Sequence, residues 1–475
     1  MKVERRNKRP FLYVLIRAIV KTAIDVFFQR VELRHAEHIP ESGPVVFVAN
    51  HPNSIMDALV LGLITRRQVH YLGHAGLFSG RLKSWFLKSC GVIPVHRRTD
   101  VSDAAVKNLD AFEACYEVLG RGQTIGIFPE GTSDILRKVK KIKTGAARIA
   151  LEAERRTEYK LDLKIIPVGL YFFSRSRFRS KVLLNVGAPL DWRYAKEMNK
   201  EDNYEAVFWL TNRIQKRLEE LTVNVHHEEL DDFVHDVEQL YSDEIRFEEV
   251  GIPHEQGSAI GQFVLTQKIA ECINYYYDSD PERILELRER VDHYKRKLKR
   301  LHINDAMLRE RPRARDMARS STRILLHSAW GLLPALYGVV NNFAPYFIAE
   351  NIASRYVHER TKILSALLIG GVLAFLIFYS LQLLLVAIFV GNGFALLYLA
   401  TLPASGFFAL HYLKQLRDER NRFNVSFFIF TNRHLFNKMR RERSQLMSQM
   451  NAIKDEYLAV IRRTGGAGLM EEKSQ

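Results

Sequence analysis

A histidine and an aspartate lie close together in the segment NHPNSIMD, residues 50–57, which directly follows the apolar run PVVFVA. His51 has the side chain to take a proton from a hydroxyl group, and Asp57 could hold its imidazole in one tautomer. Pro52 disfavours helical geometry at His51, so we predict that a helix begins after Pro52. The chain can then turn between His51 and Asp57, which would bring the two side chains together.

The same segment also has a purely structural interpretation. Ser54 is followed three residues later by Asp57, which matches the capping arrangement at the start of a helix. In that case Ser54 caps the helix, Asp57 supports it and His51 has no chemical role. Capping matches are common in sequences, and the two interpretations do not exclude each other.

A second polar segment, FPEGTS, residues 128–133, completes the apolar run TIGIF. Gly131 would let backbone N–H groups approach an anion, and Thr132 or Ser133 could cap the next helix. Glu130 is expected to accept a hydrogen bond from a hydroxyl group or to orient an arginine, because its charge would repel a phosphate. Taken alone, the segment is also compatible with an ordinary turn.

Basic residues accompany these two segments. GVIPVHRR, residues 91–98, ends in two arginines, and a guanidinium can donate two parallel hydrogen bonds to a phosphate. The alternative is a solvated basic loop. Four lysines after FPEGTS could bind phosphates or lipid headgroups, although a solvated face is the commoner explanation for such runs. They are Lys138, Lys140, Lys141 and Lys143.

The sequence around the motifs predicts an α/β domain over residues 31–223, with a sheet flanked by helices. Short apolar runs such as PVVFVA, TIGIF and LKIIPVGLYFF alternate with helical patterns, as this fold class requires. If PVVFVA is a strand, His51 lies at its carboxyl end, where open α/β sheets bind their ligands. Residues 224–323 are predicted to form a charged helical region without a catalytic motif.

The first 30 residues are predicted to contain an amphipathic, membrane-associated helix. Three charged residues, Arg17, Lys21 and Asp25, recur every four positions in an otherwise apolar stretch and would form one polar stripe. The alternative is a surface helix packed on its own domain. No secretory signal is recognised, so we expect the N-terminus to stay inside the cell.

The C-terminal half of the chain predicts insertion into a membrane. Residues 363–410 contain no charged side chain, which is enough for two spans of about 20 residues each. Basic residues flank both ends, so residues 351–412 are predicted to form a transmembrane hairpin with both ends cytoplasmic. The turn is placed near Gln382 or at residues 391–393. Residues 413–475 are predicted to form a basic helical tail in the cytoplasm.

The segment that precedes the hairpin, residues 324–350, is uncharged from Ile324 to Ala349 and has a different character. It contains Pro334, Pro345 and two adjacent asparagines, and basic residues border it on both sides. If it crossed the bilayer, one basic flank would face the wrong compartment. We therefore predict a broken helix that lies in the interface or re-enters the membrane.

Composition narrows the classes of partner. The 475 residues contain 70 Lys and Arg against 54 Asp and Glu, a formal net charge of +16, which indicates an anionic partner such as nucleic acid or an anionic membrane face. The basic residues are concentrated beside the apolar segments, which favours the membrane. Three cysteines without a C-x-x-C pair predict neither a disulfide framework nor a thiolate zinc site.

In this order, NHPNSIMD, GVIPVHRR, FPEGTS and IIPVGL resemble the four motif blocks of the glycerolipid acyltransferases. These enzymes acylate glycerol 3-phosphate or 1-acylglycerol 3-phosphate. The resemblance covers roughly residues 44–190, and FRSKVLLNVGAPL resembles the strand that follows the fourth block. It implies that His51 is the general base, that Asp57 orients it, and that a set of further residues binds substrate. These are Arg97, Glu130, Gly131, Thr132, Ser133 and Lys143.

Two departures from the commoner family pattern bear on the acceptor. Five residues separate His51 and Asp57, as in a branch that resembles the fungal glycerol-3-phosphate acyltransferases, whereas the commoner spacing is four. Ser133 stands where the third block commonly has arginine. Both acceptors therefore remain open, as do the donor and its acyl-chain length.

The resemblance implies a membrane-bound O-acyltransferase of phospholipid synthesis, with its catalytic domain on the cytoplasmic face. Its acyl donor would be acyl-CoA or an acylated carrier protein, and neither a metal nor another cofactor nor nucleic acid would be needed. The alternative is a catalytically silent protein of the same fold that binds or organises anionic lipid. The presence of His51, Asp57 and Glu130 together favours the enzyme.

Overall fold

The computed structural model describes residues 11–96, 108–174, 177–241, 258–301, 303–309, 314–357 and 359–463. The chain forms two compact units. Unit one comprises Met1–Asp231, Gly257–Gln267 and Ala353–Ile369, and unit two comprises Asp232–Gln256, Lys268–Ile352 and Gly370–Gln475.

Unit one is built on a seven-stranded mixed sheet with the order β1-β7-β6-β2-β5-β3-β4. Its strands are β1 (Arg30–Arg34), β2 (Val45–Ala49), β3 (Val69–His74), β4 (Val92–Val95), β5 (Thr124–Ile127), β6 (Lys164–Phe172) and β7 (Lys181–Val186). β6 and β7 are antiparallel, and the other neighbouring pairs are parallel. The carboxyl ends of β2 to β6 therefore lie at one edge of the sheet.

Helices cover both faces of this sheet. The helices up to residue 220 are α1 (Phe11–Phe27), α2 (Ile55–Leu63), α3 (Arg81–Ser89), α4 (Leu109–Gly120), α5 (Gly145–Arg156), α6 (Arg193–Met198) and α7 (Asn203–Glu220). Side chains of β2 alternate between two apolar clusters: Val46 and Val48 contribute to one, and Val45 and Phe47 to the other. Burial on both faces explains why β2 is an uninterrupted apolar run. The predicted α/β fold with a flanked sheet is confirmed.

Helix α1 has one face packed on the domain and one apolar face exposed. Ile24 and Phe27 are buried, whereas Phe11 and Ile19 are exposed. The guanidinium of Arg17 donates to Gly62 O at 2.5 Å and to Thr65 O at 2.6 Å, at the end of α2. Arg17 therefore binds the domain, as the alternative of a surface helix packed on its own domain predicts. The membrane association of α1 stays a prediction.

The helices of the rest of the chain, which belong mainly to unit two, are α8 (Asp231–Tyr241), α9 (Ala259–Ser279), α10 (Pro281–Arg300), α11 (Asp305–Arg309), α12 (Ala314–Tyr356), α13 (Ile363–Phe389), α14 (Asn392–Thr431) and α15 (Arg433–Arg463). Within unit two, α15 packs on α10 and α11. Arg443 contacts the carboxylate of Asp305 at 2.9 Å, and Lys297 pairs with Glu442 at 2.8 Å.

Three helical segments are long and apolar enough to cross a membrane: Trp330–Asn351, Arg360–Phe389 and Asn392–Arg420. The last two cover the predicted hairpin. The break between them falls at Val390 and Gly391, which agrees with the predicted turn at residues 391–393 and not with the one near Gln382. Gly391 has φ +113°, a conformation that glycine adopts readily.

Helix α12 is continuous through both prolines, so the prediction that this stretch is broken is wrong. Pro345 has no N–H to donate to the carbonyl of Asn341, four residues earlier. The side-chain amide of Gln382 donates to that carbonyl at 3.0 Å, which satisfies the acceptor that the proline leaves. Whether α12 lies in the membrane interface stays a prediction.

Candidate active site

Residues 50–54 form the turn between β2 and α2 at the ligand-binding edge of the sheet. Asn50 fixes this turn to β6, because its side-chain amide donates to Leu170 O at 3.1 Å and its oxygen accepts from Leu170 N at 2.7 Å. The predicted placement of His51 after a strand, with a helix beginning beyond Pro52, agrees with these elements.

The side chains of His51 and Asp57 are in contact. Nδ1 of His51 lies 2.8 Å from Oδ2 of Asp57, and the aspartate side chain is 0% exposed. The same Oδ2 accepts from the backbone N–H of Asn53 at 2.7 Å. Since a carboxylate only accepts, Nδ1 carries the proton and Nε2 is the nitrogen left to act as a base. This geometry can perform general-base chemistry.

The capping interpretation of the same segment does not agree with the structure. Ser54 stands at the N-cap position of α2, but its side chain makes no capping hydrogen bond. Its φ is +51°, outside the usual N-cap conformation. The Asp57 carboxylate accepts from Asn53 N instead of Ser54 N, so neither half of the capping box is present.

The FPEG turn lies beside His51 because β2 and β5 are parallel neighbours. Oε1 of Glu130 accepts from the backbone N–H of His51 at 3.1 Å. The Phe128 ring stacks on the His51 imidazole with centroids 4.3 Å apart and an interplanar angle of 15°. The backbone of His51 also accepts from Asp134 N at 3.1 Å. Two neighbouring strand ends therefore hold one histidine.

Burial raises the pKa of the Glu130 carboxyl to about 7, although the hydrogen bond from the His51 backbone partly opposes this shift. At neutral pH the neutral and ionised forms are both populated. The neutral carboxyl can donate a hydrogen bond, and the ionised form repels an anion. Glu130 can therefore meet either a hydroxyl or a phosphate oxygen.

Gly131 and Lys143 lie against each other at the end of this turn. Gly131 has φ +71°, and a Cβ built on it would lie 2.6 Å from Lys143 Nζ. The backbone N–H of Lys143 donates to Pro129 O at 2.8 Å, which fixes the lysine beside the turn. Its exposed ammonium forms no ion pair within the described part of the chain. It is available to an anionic ligand.

Two of the other lysines are engaged elsewhere. Lys138 Nζ donates to His226 O at 2.8 Å, and Lys140 Nζ pairs with Asp134 at 2.6 Å. Both side chains are exposed but already bonded within the domain, and phosphate or lipid binding by this run stays a prediction.

Thr132 and Ser133 do not cap a helix, so that prediction is wrong. The chain runs without helix from Gly131 until α5 begins at Gly145, and the residue before α5 is Thr144. Thr132 is exposed and Ser133 is half-buried, and their role in substrate binding stays a prediction.

Arg97 lies outside the described residues. The strand before it, β4, ends at Val95 and runs parallel to β3. His96 is held by Asn108, whose side chain accepts from His96 N at 2.7 Å and donates to His96 O at 2.8 Å. The chain therefore reaches residue 96 at the sheet edge that carries His51, and the binding role of Arg97 stays a prediction.

Sequence reasoning missed two residues of this site. The motifs predict no role for Phe128, whose ring packs on His51, or for Asn50, whose side chain joins β2 to β6. Both are side chains at the carboxyl end of a strand. That position was itself the available signal, because ligand sites of open sheets lie there.

Comparison with known proteins places this part of the chain among known sequences. Residues 30–171 match the family model described as Acyltransferase. This segment therefore resembles an acyltransferase domain, and the predicted resemblance to the glycerolipid acyltransferases is confirmed.

Individual relatives cover parts of the chain. Glycerol-3-phosphate O-acyltransferase 2 of Saccharomyces cerevisiae is 28% identical over 42% of this chain and 25% of its own length. The chloroplastic 1-acyl-sn-glycerol-3-phosphate acyltransferase LPAT1 of Arabidopsis thaliana is 26% identical over 30% of this chain and 36% of its own. The crystal structure of the 1-acyl-sn-glycerophosphate acyltransferase PlsC of Thermotoga maritima aligns with 21% identity and a TM-score of 0.34, covering 46% of this chain and 84% of that one. This chain thus spans a quarter to about a third of the two curated relatives.

Proposed function

We propose that the chain is a membrane-bound O-acyltransferase. It moves a fatty acyl group from an acyl thioester to glycerol 3-phosphate or 1-acylglycerol 3-phosphate. The observation that carries this proposal is the contact of His51 Nδ1 with the buried Asp57 carboxylate at 2.8 Å, within an acyltransferase domain. The three long apolar helices support membrane attachment, since both the donor's acyl chain and the product are lipids.

The chemistry follows from the orientation of His51. Nε2 takes the proton of the acceptor hydroxyl as its oxygen attacks the thioester carbonyl. An ester bond forms, the carbon–sulfur bond breaks, and the proton held by His51 passes to the leaving thiolate. Asp57 keeps Nδ1 protonated throughout and stabilises the imidazolium that forms between the two proton transfers. No covalent enzyme intermediate is needed.

The acceptor's phosphate requires a cation and hydrogen-bond donors near His51. Lys143 lies beside Gly131 with its ammonium available, and Arg97 is placed in the chain directly after β4. Glu130 approaches the acceptor from the His51 side and can bind a hydroxyl group in either protonation state. The five-residue interval between His51 and Asp57 favours glycerol 3-phosphate as the first acceptor to assay.

The experiment is an assay of the purified full chain in lipid with both acceptors, each tested with acyl-CoA and with an acylated carrier protein. We expect turnover with at least one acceptor and none in a His51→Ala variant. If none of the four donor–acceptor combinations reacts while the protein binds anionic vesicles, the lipid-binding alternative becomes the better account.

A further inference from the structure

Ser365, in the first turn of α13, contacts the catalytic turn from a distant part of the chain. Its Oγ accepts from the backbone N–H of Met56 at 3.0 Å and donates to the carbonyl of Asn53 at 3.4 Å. All three residues belong to unit one. Met56 N is one of the first N–H groups of α2, and it also donates to Asn53 O at 3.1 Å, so the Ser365 hydroxyl shares this donor with the turn.

Ser365 supplies the capping oxygen that Ser54 does not. The Ser54 side chain makes no capping bond, and its φ of +51° is costly for a residue other than glycine. Ser365 bonds the residue before Ser54 and a residue after it. A strained turn persists only when its surroundings hold it, and this hydroxyl holds it on both sides.

The same turn sets the position of Asp57. The N–H of Asn53 donates to Oδ2 of Asp57 at 2.7 Å, and that oxygen also holds His51 Nδ1. Ser365 binds the carbonyl oxygen of the same residue, Asn53. A shift of Asn53 would therefore move the carboxylate that orients the catalytic histidine.

Apolar packing keeps Ser365 in place. Its neighbours Leu364 and Leu368 are 0% and 5% exposed, and they belong to the apolar cluster that includes Met56 and Val60 of α2. These contacts fix the first turn of α13 against the catalytic helix, so the hydroxyl is presented by a rigid element.

We propose that Ser365 is a positioning residue for acyl transfer, which couples the start of α13 to the His51–Asp57 pair. The inference rests on the proposed function for its kinetic consequence. The hydrogen bonds themselves can be tested without turnover.

The kinetic test compares Ser365→Ala and Ser365→Thr with wild type in lipid. Removal of the hydroxyl is expected to lower kcat about tenfold or more, while KM values for donor and acceptor change less than about twofold, since substrate contacts are untouched. The threonine variant keeps a hydroxyl and should recover most of kcat. Ser380→Ala, an exposed serine of the same helix, and Ser54→Ala serve as matched controls and should resemble wild type.

Hydrogen–deuterium exchange on the same variants separates this inference from the proposed function. Ser365→Ala should increase deuterium uptake in a peptide covering residues 50–60, whereas Ser54→Ala should not. Unchanged uptake would overturn the proposed contact whatever the activity. Equal loss of kcat in the alanine and threonine variants would also overturn it, because packing and not the hydroxyl would then matter.

Helix α3 carries an independent observation. Leu82, Trp85 and Phe86 lie at positions i, i+3 and i+4 and are 84%, 60% and 43% exposed, so three large apolar side chains share one uncovered face. Arg81, Lys83 and Lys88 are exposed on the same helix, and Arg81–Ser89 contains no acidic residue. Tryptophan beside basic residues on an amphipathic helix is typical of a helix in a bilayer interface.

We infer that α3 docks on an anionic lipid surface. The occupant is identified by charge, because the three exposed apolar side chains are flanked on the same helix by three cations and by no acidic residue. The three long apolar helices of the chain point to a bilayer as the source of that surface. The surface complements lipid tails with Trp85 and anionic headgroups with the basic residues.

The test uses full-length protein in anionic vesicles, with Cys90, Cys115 and Cys272 replaced by alanine. A polarity-sensitive dye is attached to Leu82→Cys or, as a control, to Tyr204→Cys, which is 74% exposed on α7. We expect blue-shifted emission and quenching by spin-labelled lipids at position 82 only. Equal access of aqueous iodide to both positions would overturn lipid docking. Protection at position 82 without quenching by the spin-labelled lipids would also overturn it, and if that protection disappeared on dilution, the helix would instead contact a second copy of the chain.

Discussion

Asp57 is constrained by burial, by its helix and by two hydrogen bonds. Its side chain is fully buried, it lies in the first turn of α2, and its Oδ2 accepts from Asn53 N and faces His51 Nδ1. The positive end of the helix dipole and the two donors favour the ionised carboxylate against the cost of burial. A neutral amide of the same shape would lack this charge and could donate to His51.

This predicts the effect of two substitutions. Asp57→Asn should favour the wrong tautomer of His51, and His51→Ala should remove the base, so each is expected to lower kcat by about 10²–10⁴-fold or more. Ser54→Ala should leave kcat near wild type, because the Ser54 side chain caps nothing. Steady-state kinetics on folded, membrane-inserted protein gives the comparison. Near-normal kcat in His51→Ala would contradict the catalytic role.

Glu130 gives a pH prediction. Its carboxyl has a pKa raised to about 7 by burial, so it is mainly neutral below pH 7 and mainly ionised above it. An ionised Glu130 repels the acceptor's phosphate, and the acceptor's KM should therefore rise as pH increases through 7. Glu130→Gln cannot ionise and should lose this rise.

The acceptor's own ionisation affects both proteins alike, so the comparison isolates Glu130. The measurement is KM for the acceptor from pH 6 to 8 at saturating donor. Parallel profiles for wild type and Glu130→Gln would show that Glu130 does not meet the phosphate.

At the scale of elements, the site is the meeting of two strand ends. β2 delivers His51 and its neighbour β5 delivers the FPEG turn, because parallel strands end at the same edge. Gly131 completes the turn with φ +71°, a conformation in which glycine has no Cβ to clash. Lys143 lies directly against this turn and is held there by its N–H bond to Pro129 O.

Gly131→Ala is predicted to disturb both features. It places an L side chain at positive φ, and its Cβ would lie 2.6 Å from Lys143 Nζ, so the lysine must move. We expect kcat/KM for the acceptor to fall about tenfold or more. Gly145→Ala is the control, since nothing lies within 4 Å of its Cβ and it starts helix α5. Equal activity of the two variants would exclude Gly131 and Lys143 from acceptor binding.

Local sequence patterns were sufficient to predict the elements that carry His51. An apolar run followed by His51, Pro52 and a helical pattern predicted the strand, the turn and the helix, because each depends on nearby residues. The contact of Ser365 with Met56 spans 309 positions and depends on tertiary packing, which no local pattern records. The hydrogen bond from Gln382 to the Asn341 carbonyl, which Pro345 leaves without its helical donor, likewise depends on tertiary packing.

Contacts within each unit lead to a prediction for the number of membrane crossings. Met56 and Ser365 are hydrogen-bonded, and Asp305 and Arg443 form an ion pair, so each pair lies on one side of a bilayer. In the described ranges, the helices apolar enough to span all lie after residue 329. We predict that residues 56, 305 and 365 share one side of the bilayer, so that both ends of α12 face it.

This favours two crossings, by α13 and α14, with α12 starting and ending on the side of the catalytic domain. Its Asn341 fits such a placement, because Gln382 binds its carbonyl and Tyr398 binds its side chain, so the polar groups are satisfied among the helices. The basic flanks of the hairpin favour the cytoplasm for that side.

The prediction is tested with single cysteines in a background where Cys90, Cys115 and Cys272 are alanine. Tyr204→Cys reports the catalytic domain, Ser444→Cys reports α15, and Val390→Cys reports the turn between α13 and α14. A membrane-impermeant maleimide should label positions 204 and 444 only from the cytoplasmic side, and position 390 only from the opposite side. Positions 204 and 444 labelled from opposite sides would mean three crossings, with α12 spanning the bilayer. Positions 204 and 444 both labelled from outside would reverse the orientation but keep the hairpin.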